Sequence, residues 1–463
     1  MYPRQPGIGQ RLDALATGPF HRHLLALIGG GMFFDAFDNY LAGSVLGALV
    51  HDGVSDIHLN AVFISMGFAG LTIGAWMAGI LGDRFGRRFS YQFNLLVFGL
   101  GSLAAALAPS MNWLIFFRFV MGLGLGAEIV VGYSTLVEFV PAHARGRYAS
   151  MLNLITNLSL FVSAMASYVV IPYLGWRWMF VIPGAGALVI WYLRKSMPES
   201  PRWLASVGRH DEADAVACQI EAQSTRRFDP ALVAEAEADR GRLRELFARG
   251  QLGRTVVGIV TVVVGFSVMY AFVSWVPTFL VKRGFDVSHS LLMTSAMFAG
   301  GPVGSLIAFA IADRIGRKWG LVLFSLIGAA VGLLYPFVTG MVAIACVGFA
   351  VTVCIYVLSA LGLAAYTPEL FPTRLRLRGM GLCNALGRLA NVGVPYLVVA
   401  VFSLGGLLGV VSLMAGLFLL LAVVLVALGV ETRMRSLEEV HAQTLEQGNA
   451  LPVEALQQAR ATR

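Results

Sequence analysis

The chain has 463 residues, of which 57% are hydrophobic and only 13% are charged. Soluble domains carry about 25% charged residues, so this composition argues against a soluble protein. The net charge of +8 would also fit a nucleic-acid-binding protein, but the positive residues are spread among loops between apolar runs, and we expect no nucleic-acid partner.

Twelve apolar runs are long enough to cross a membrane, because a helix needs about 20 residues to span roughly 30 Å of hydrocarbon. The sequence therefore predicts an all-α membrane protein with 12 transmembrane helices in contact with membrane lipids. In chain order, the predicted spans are 23–48, 60–81, 90–108, 112–136, 149–171, 176–193, 254–280, 289–312, 320–338, 341–365, 380–402 and 406–430.

Arginine and lysine concentrate in every second connection between these runs, while the intervening connections, such as 49–59 and 109–111, have almost none. Positive residues favour the cytoplasmic side, so we expect these loops and both termini in the cytoplasm and the chain in the inner or plasma membrane. The loop residues concerned are Arg84, Arg87 and Arg88, then Arg145 and Arg147, then Arg314, Arg317 and Lys318, and finally Arg374, Arg376 and Arg378.

A mixed-charge segment at 194–253 divides the chain into two groups of six runs. Its composition predicts one to three short amphipathic helices on the cytoplasmic surface. The predicted domains are therefore an N-terminal six-helix bundle at 1–193, this linker, a C-terminal six-helix bundle at 254–430 and a cytoplasmic tail at 431–463.

The two groups of six are repeats of one another. The segment 83–88 returns as 313–318, an offset of 230, and the pattern Glu-x-x-Pro-x-x-x-Arg-x-Arg at 138–147 returns at 369–378, an offset of 231. Such six-helix repeats are a transporter architecture, in which the solute binds between the halves near the middle of the membrane. Two further pairs align at the second offset: Asn153 with Asn384, and Asn157 with Arg388.

The loop after the second run carries a motif that resembles the loop signature of the major facilitator superfamily: Gly79-x-x-x-Asp83-Arg84-x-Gly86-Arg87-Arg88. Two further segments resemble those that follow helix 6 and helix 12 in sugar porters and organic-ion carriers, namely Pro198-Glu199-Ser200-Pro201-Arg202-Trp203-Leu204 and Glu431-Thr432. The resemblance spans nearly the whole chain. It implies the twelve-helix fold and solute transport by alternating access.

One of the apolar runs resembles a particular group within the superfamily. Phe34-Asp35-Ala36-Phe37-Asp38 resembles helix 1 of proton symporters for aromatic acids, nicotinate and other metabolites, and Tyr366-Thr367-Pro368-Glu369 with Arg388 supports the same comparison. This resemblance implies that the solute is a carboxylate. Predicted helix 7, in contrast, lacks the paired glutamines with which sugar porters bind hexose hydroxyls.

Charged residues inside the apolar runs are functional candidates, since a charge at mid-bilayer costs about 3 kcal/mol or more. We assign proton coupling to Asp35, Asp38, Arg118 and Glu128. At a rise of about 1.5 Å per residue, Asp35 and Arg118 fall in the same layer, which predicts an ion pair between them. The alternative is a fixed ion pair that only stabilises the bundle. Glu128 serves either as a second proton station or as a hydrogen-bond partner of a neighbouring helix.

Arg388 falls close to mid-membrane, where a guanidinium matches a planar carboxylate bidentately, so we assign it to binding an anionic solute. The alternatives are that it pairs with Glu128 or with a backbone carbonyl. For Trp275, an outer gate and an interface anchor are both possible. The remaining substrate-binding candidates are aromatic and amide residues, and the set is Phe34, Asn39, Tyr40, Asn157, Tyr270, Trp275, Asn384 and Asn391.

The loop charges also predict a cytoplasmic gate. Short acids at helix N-termini pair with arginines, and nearby glutamates can join them in a network that holds the halves together when the protein opens outward. The alternative is that the arginines only set the orientation in the membrane. The assigned residues are Gly79, Asp83, Arg84, Gly86, Arg87, Glu138 and Arg147 in the first half, and Asp313, Arg314, Gly316, Arg317, Glu369 and Arg378 in the second.

Together these features predict a secondary active transporter, namely a proton symporter for a small organic acid. The alternatives are a sugar porter or facilitative uniporter, and a membrane sensor that binds a solute without moving it. The sequence contains no catalytic constellation, and its four cysteines lack metal-ligand spacing. We therefore expect no enzyme activity, no metal and no cofactor, the proton being the coupling ion, and a monomer as the working form.

Overall fold

A computed structural model describes residues 8–13, 15–141, 144–223, 243–312, 314–371 and 373–431 of the chain. Within these ranges the chain is nearly all helix and contains no β-strand, which confirms the predicted all-α class. Most of the predicted tail and the middle of the predicted linker lie outside the described residues.

The first half consists of six long helices, α1 to α6. Pro19 begins α1, where its missing N–H costs nothing, and the Asp56 side chain caps α2 by accepting hydrogen bonds from the backbone N–H groups of His58 and Leu59. The bounds are Pro19–His51 (α1), Ile57–Phe85 (α2), Arg87–Ala106 (α3), Met111–Phe139 (α4), Arg145–Leu174 (α5) and Trp178–Leu193 (α6).

The second half also contains six helices, α7 to α12. The helical stretch Thr373–Leu428 has non-helical backbone at Gly406 (φ 57°, ψ −148°), which separates α11 at 373–405 from α12 at 407–428. A π-helical segment, Ser359–Tyr366, follows α10 directly. The other bounds are Arg249–Lys282 (α7), Val287–Phe298 with Gly300–Ala312 (α8), Arg317–Leu334 (α9) and Met341–Leu358 (α10).

Nine helical stretches in the described residues are long and apolar enough to cross a membrane. One of them, Arg378–Leu428, contains both α11 and α12, and α1 and the 16-residue α6 complete the twelve. The predicted twelve-helix architecture is therefore confirmed. We term the end of the bundle with the α2–α3 and α8–α9 connections the basic end, and the other the opposite end.

The two halves pack closely toward the opposite end. A Cβ added to Gly43 of α1 would lie 2.7 Å from the carbonyl oxygen of Val273 on α7. The Ser65 hydroxyl of α2 donates to the carbonyl oxygen of Val392 on α11 at 2.8 Å. All four positions lie nearer the opposite end of their helices than the basic end. The halves are therefore closed at the opposite end in this conformation.

Short helices at the basic end pack on the first half. Arg11 of the N-terminal helix forms ion pairs with Asp214 at 2.6 Å and with Glu221 at 2.9 Å, both in the segment predicted as a linker. The described part of that segment contains short helices. The bounds are Ile8–Asp13, Pro201–Ser206 and His210–Ala222 for the α-helices, and Arg194–Ser196 and Leu243–Phe247 for two 3₁₀ turns.

Candidate functional site

A buried ion pair joins α1 to α4. Arg118 donates from Nη1 to Oδ2 of Asp38, and the two side chains are 5% and 0% exposed. The guanidinium also lies over the Phe63 ring, 5.3 Å from its centroid. The prediction that Arg118 pairs with Asp35 is therefore wrong, because Asp38, three residues further along α1, reaches the level of Arg118.

The pair leaves polar atoms unsatisfied on both members. Oδ1 of Asp38 and Nε of Arg118 are buried and have no hydrogen-bond partner among the described residues. A Cβ added to Gly67 of α2 would lie 2.8 Å from Nε of Arg118, so α2 closes one side of the guanidinium. A carboxylate held through one oxygen keeps a second acceptor, which permits rearrangement of the pair.

Asp35 lies closer to the basic end and is also buried. Its Oδ1 accepts a hydrogen bond from Nδ2 of Asn39 at 3.1 Å. It lies within electrostatic range of Arg388 and Glu128, but the described residues place no cation within ion-pair distance of it. A carboxylate in this setting is suited to take up and release a proton as its neighbours change.

Arg388 of α11 lies within electrostatic range of Asp35 and Tyr270. The residue is half-buried, and its Nη1 is enclosed without a hydrogen-bond partner in the described part of the chain. The alternative in which Arg388 pairs with Glu128 is wrong, because Glu128 pairs with Arg194. A guanidinium that keeps an unused donor is equipped to bind an anion.

Two aromatic contacts cross between the halves beside these charges. Tyr356 of α10 donates to the hydroxyl oxygen of Tyr40 on α1 at 3.1 Å. The rings of Phe68 on α2 and Tyr270 on α7 meet edge to face, with centroids 4.6 Å apart. Tyr356 and Phe68 were not among the predicted site residues, since an aromatic side chain in an apolar run gives no signal that separates a binding wall from core packing.

A small cavity lies between the halves. It places the predicted residues Asn39 and Arg118 beside Ser274 of α7, so polar groups from both halves share one space. The lining residues are Asn39, Ala42, Ile64, Phe68, Arg118 and Ser274.

The predicted amide residues differ in their surroundings. Asn157 of α5 donates to the Ser305 hydroxyl of α8 at 3.4 Å and thus joins the two halves. Asn391 is buried, and its Oδ1 finds no partner among the residues described. Asn384 instead donates to the carbonyl oxygen of Met380 on its own helix at 2.9 Å.

Two residues predicted to contact the substrate pack against protein side chains instead. Phe34 packs against α6, where a Cβ added to Gly186 would lie 2.2 Å from its ring, because Phe34 shares the face of α1 on which Gly30 also contacts α6. Trp275 is 2% exposed and stacks on Phe279 with ring centroids 5.7 Å apart. The anchor alternative for Trp275 is therefore wrong, since its ring is enclosed in the core.

Glu128 forms a second buried ion pair, inside the first half. Arg194, just after α6, donates from Nη2 to Oε1 of Glu128 at 2.7 Å, and the two side chains are 1% and 3% exposed. Arg194 also donates to the carbonyl oxygens of Leu27 and Ile28 and lies over the Tyr91 ring. The sequence assigned Arg194 to the linker because it follows the last apolar run, but its burial makes it part of the first half.

Gly31 of α1 packs against this pair, because an added Cβ would lie 2.3 Å from both Nη2 of Arg194 and Oε1 of Glu128. We expect Gly31→Ala to lower the free energy of unfolding by about 1–3 kcal/mol through overpacking of a site fixed by two charges. Thermal unfolding in detergent measures the effect. Gly416→Ala, at a helical position with open space, should leave the transition unchanged or raise it. An unchanged transition in Gly31→Ala would contradict this packing.

At the basic end of the first half, the α2–α3 connection is tied to α4 and to the segment after α6. Arg87 pairs with Glu138 at 2.9 Å, and the backbone N–H groups of Arg87 and Arg88 donate to Glu199 at 2.9 Å and 3.1 Å. Gly86 has φ +94°, and an added Cβ would lie 2.2 Å from Oε2 of Glu199. Only glycine therefore admits the glutamate at the start of α3.

The second half repeats this arrangement. Arg317 pairs with Glu369 at 3.3 Å, and its backbone N–H donates to Glu431 at 3.0 Å. Gly316 has φ +96°, and an added Cβ would lie 2.6 Å from Oε2 of Glu431. The structural repeat thus extends the sequence repeat to Glu199 and Glu431, which were not among the predicted gate residues.

These two networks each join helices of one half. The predicted gate concerns contacts between the halves in an outward-open state, so it stays a prediction. Of the other assigned gate residues, Arg84, Arg147, Arg314 and Arg378 have exposed side chains. The burial of Gly79, the side chain of Asp83 and the whole of Asp313 lie outside the described part.

Burial raises the pKa of the Glu199 carboxyl, although the backbone N–H groups of Ser200, Arg88 and Arg87 act in the opposite direction. The buried carboxylate therefore costs folding free energy in full above this raised pKa; the cost shrinks as the pH falls through the raised pKa and disappears only below the ordinary pKa of a glutamate. We expect Glu199→Ala to lower the free energy of unfolding by about 1 kcal/mol through loss of the helix cap, and Glu199→Gln to stay near wild type at pH 7. Melting curves of the two variants check this, and equal destabilisation would contradict it.

Comparison with known proteins covers nearly the whole chain. Residues 40–443 match the family model described as sugar (and other) transporter. The chain is 39% identical over 444 residues to the inner membrane metabolite transport protein YdjE of Escherichia coli, covering 94% of this chain and 98% of the relative. It is 33% identical over 437 residues to the niacin transporter NiaP of Acinetobacter baylyi, covering 93% and 98%.

The fold is similar to that of solved transporters. A crystal structure of a D-xylose-proton symporter matches with a TM-score of 0.68 and 20% identity, over 91% of this chain and all of that one. A partially occluded inward-open structure of the xylose transporter XylE from E. coli matches with a TM-score of 0.68 and 19% identity, over 90% and 99%. The chain therefore belongs to the sugar (and other) transporter family of the major facilitator superfamily, a family of transporters rather than enzymes.

Proposed function

We propose that the protein is a proton-coupled symporter that moves a small organic acid, in particular an aromatic carboxylate, across the inner membrane by alternating access. The observation that carries the proposal is Arg388, a half-buried guanidinium with an unused donor, which lies within electrostatic range of Asp35 and Tyr270. A planar carboxylate is the anion that a guanidinium binds through two parallel hydrogen bonds.

The surroundings of Arg388 favour an aromatic solute. Tyr270 packs against Phe68, and Tyr356 bonds to Tyr40, so aromatic rings from both halves lie in the same region. Aromatic pairs prefer stacked or edge-to-face contact and add about 0.5–1.5 kcal/mol beyond the area they bury. The relative named niacin transporter supports this class, because niacin is a pyridine carboxylic acid.

Arg388 and Asp35 together provide a way to couple the acid to a proton. Without solute, the guanidinium offsets the charge of the nearby Asp35 carboxylate. A bound carboxylate takes over that positive charge, and Asp35 then requires a proton, because an uncompensated buried charge is costly. One proton therefore enters with each molecule of acid.

In this proposal, the opposite end faces the outside of the cell. The packing of Gly43 on α7 and of Ser65 on α11, which closes that end, then belongs to the inward-facing state of the transport cycle. We assign the basic end, with both termini, to the cytoplasm because of its arginines. In the outward-open arm, the predicted gate residues around Arg87 and Arg317 bring the halves together at this end.

Uptake into proteoliposomes tests the proposal. Radiolabelled nicotinate, benzoate, D-xylose and D-glucose are compared with and without an inside-alkaline pH gradient, and protein-free liposomes correct for weak acids that cross the bilayer unaided. We expect an aromatic acid to accumulate above its equilibrium distribution only with the gradient. Accumulation of a sugar without acid flux would replace the proposal with a sugar porter, and binding without any flux would indicate a sensor.

A further inference from the structure

A second, very small cavity lies wholly inside the first half, away from the space between the halves, and it is too narrow to hold a water molecule. Asp35 of α1 and Glu128 of α4 both line it, together with Gly31 and with Asn94 of α3. The two carboxylates therefore share one buried space, and each lies within electrostatic range of the other. Glu128 has no part in the coupling of Asp35 to Arg388 described above.

The ion pair between Glu128 and Arg194 uses only one oxygen of the carboxylate. A pair that served stability alone would gain from using both. Arg194 binds Oε1 of Glu128, whereas Oε2 is buried and has no hydrogen-bond partner among the described residues. A guanidinium can satisfy both oxygens of a carboxylate through a bidentate contact. Here Nη1 of Arg194 is also left without a partner in the described part of the chain. One oxygen of Glu128 is therefore available to a proton.

Polar side chains continue from Glu128 toward the basic end within the same half. Thr135 and Glu138 follow at seven and ten residues along α4, which places them on the same side of the helix. Tyr91 of α3 lies within electrostatic range of both Glu128 and Glu138. Oε2 of Glu138 is buried without a described partner, while Oε1 pairs with Arg87 at the basic end.

We infer that Glu128 is a second proton-carrying residue, which receives the proton from Asp35 and passes it toward the basic end through the interior of the first half. The inference rests on the proposed proton coupling. In the transfer, the O–H bond on Asp35 breaks and an O–H bond forms on Oε2 of Glu128, so that the negative charge moves to Asp35. The solute thus leaves between the halves, while the proton leaves through one half.

The charges that face Glu128 fit one shared proton. From α1 it faces Asp35, from α3 Tyr91, and from the segment after α6 Arg194. At this level α2 meets α4 through backbone and apolar groups at Leu71. When the solute occupies Arg388, Arg194 is the cation that remains for the two carboxylates, and the charge is balanced when one of them carries a proton.

Infrared difference spectroscopy tests the inference without any solute. Purified protein in liposomes is shifted between acidic and alkaline buffer, and the carbonyl stretch of protonated carboxylic acids is recorded. We expect a band that Glu128→Gln removes and a separate band that Asp35→Asn removes. A fixed Glu128–Arg194 pair would stay ionised throughout, so a spectrum of Glu128→Gln identical to wild type would overturn the inference.

Two further variants keep the test decisive. If Glu128→Gln fails to fold because Arg194 is left uncompensated, Glu128→Gln with Arg194→Gln removes both charges and should lose the same band. Ser102→Ala, which removes a buried hydroxyl bonded to the carbonyl oxygen of Phe180 away from this cavity, is the control and should keep both bands. Loss of acid uptake in wild type would refute the proposed function but would leave the infrared result standing.

Discussion

Replacement of Arg388 by glutamine is expected to raise the concentration of aromatic acid needed for half-maximal uptake by roughly 30- to 140-fold, equal to about 2–3 kcal/mol. The variant keeps a hydrogen-bond donor on α11 but loses the charge and the paired N–H groups. Nη1 has no partner among the described residues, so its removal breaks no internal hydrogen bond. The affinity that is lost is therefore the affinity for the solute. Concentration-dependent uptake in proteoliposomes gives the value.

Arg388→Lys separates charge from geometry. Lysine keeps the positive charge but presents it as a point, so an intermediate loss of affinity is expected. Arg283→Gln is the control, because Arg283 donates to the carbonyl oxygen of Pro336 in an exposed connection away from the site. If Arg388→Gln transports the acid with unchanged affinity, the solute does not bind this guanidinium.

Asp38→Asn is expected to abolish gradient-driven accumulation and to lower the free energy of unfolding by about 3–5 kcal/mol. The destabilisation follows because the buried Arg118 charge loses its carboxylate. The loss of accumulation follows because Arg118 lies within electrostatic range of Asp35 and, once freed, pairs with it in place of a proton. Uptake with a pH gradient and thermal unfolding measure the two effects.

The double variant Asp38→Asn with Arg118→Gln tests the cause given for both effects. Removing both charges should recover most of the stability, since no buried charge is left unpaired, and it should also recover accumulation, since no freed guanidinium remains to pair with Asp35. Full accumulation by a destabilised Asp38→Asn would show that the pair only stabilises the bundle.

The architecture follows from the sequence because the bilayer imposes strong rules. Apolar runs of fixed length, alternation of loop arginines and a repeat offset predict twelve helices in two halves, and the helices lie where these features place them. The connections are less predictable. Arg194 and Glu431 follow apolar runs and resemble polar loop residues, yet one is buried inside the first half and the other binds the start of α9.

The free-energy cost of a charge in the membrane identifies the charged site residues in the sequence. It does not identify the residues with which they pair. A charge inside an apolar run is expensive, which identifies Asp35, Asp38, Arg118 and Arg388. The rise along each helix gives depth only to within several residues, so it does not decide which aspartate meets Arg118. Rotation of the helices also matters, since it turns Phe34 toward α6.

The aromatic residues of the site are the hardest to predict from the sequence. Tyr356 and Phe68 contact the other half, but they lie in apolar runs where most aromatic residues face lipid or core. Their role depends on which helices of the two halves meet. Only the structure supplies that information.

Proton entry driven by the acid itself tests the central claim most directly. Proteoliposomes with a trapped pH-sensitive dye and no starting gradient receive external nicotinate, and solute uptake and internal pH are followed together. We predict that wild type acidifies the interior by one proton per acid beyond the protein-free baseline, and that Asp35→Asn admits the acid without acidification. Acid entry without acidification in wild type, or identical acidification in Asp35→Asn, would contradict proton symport through Asp35.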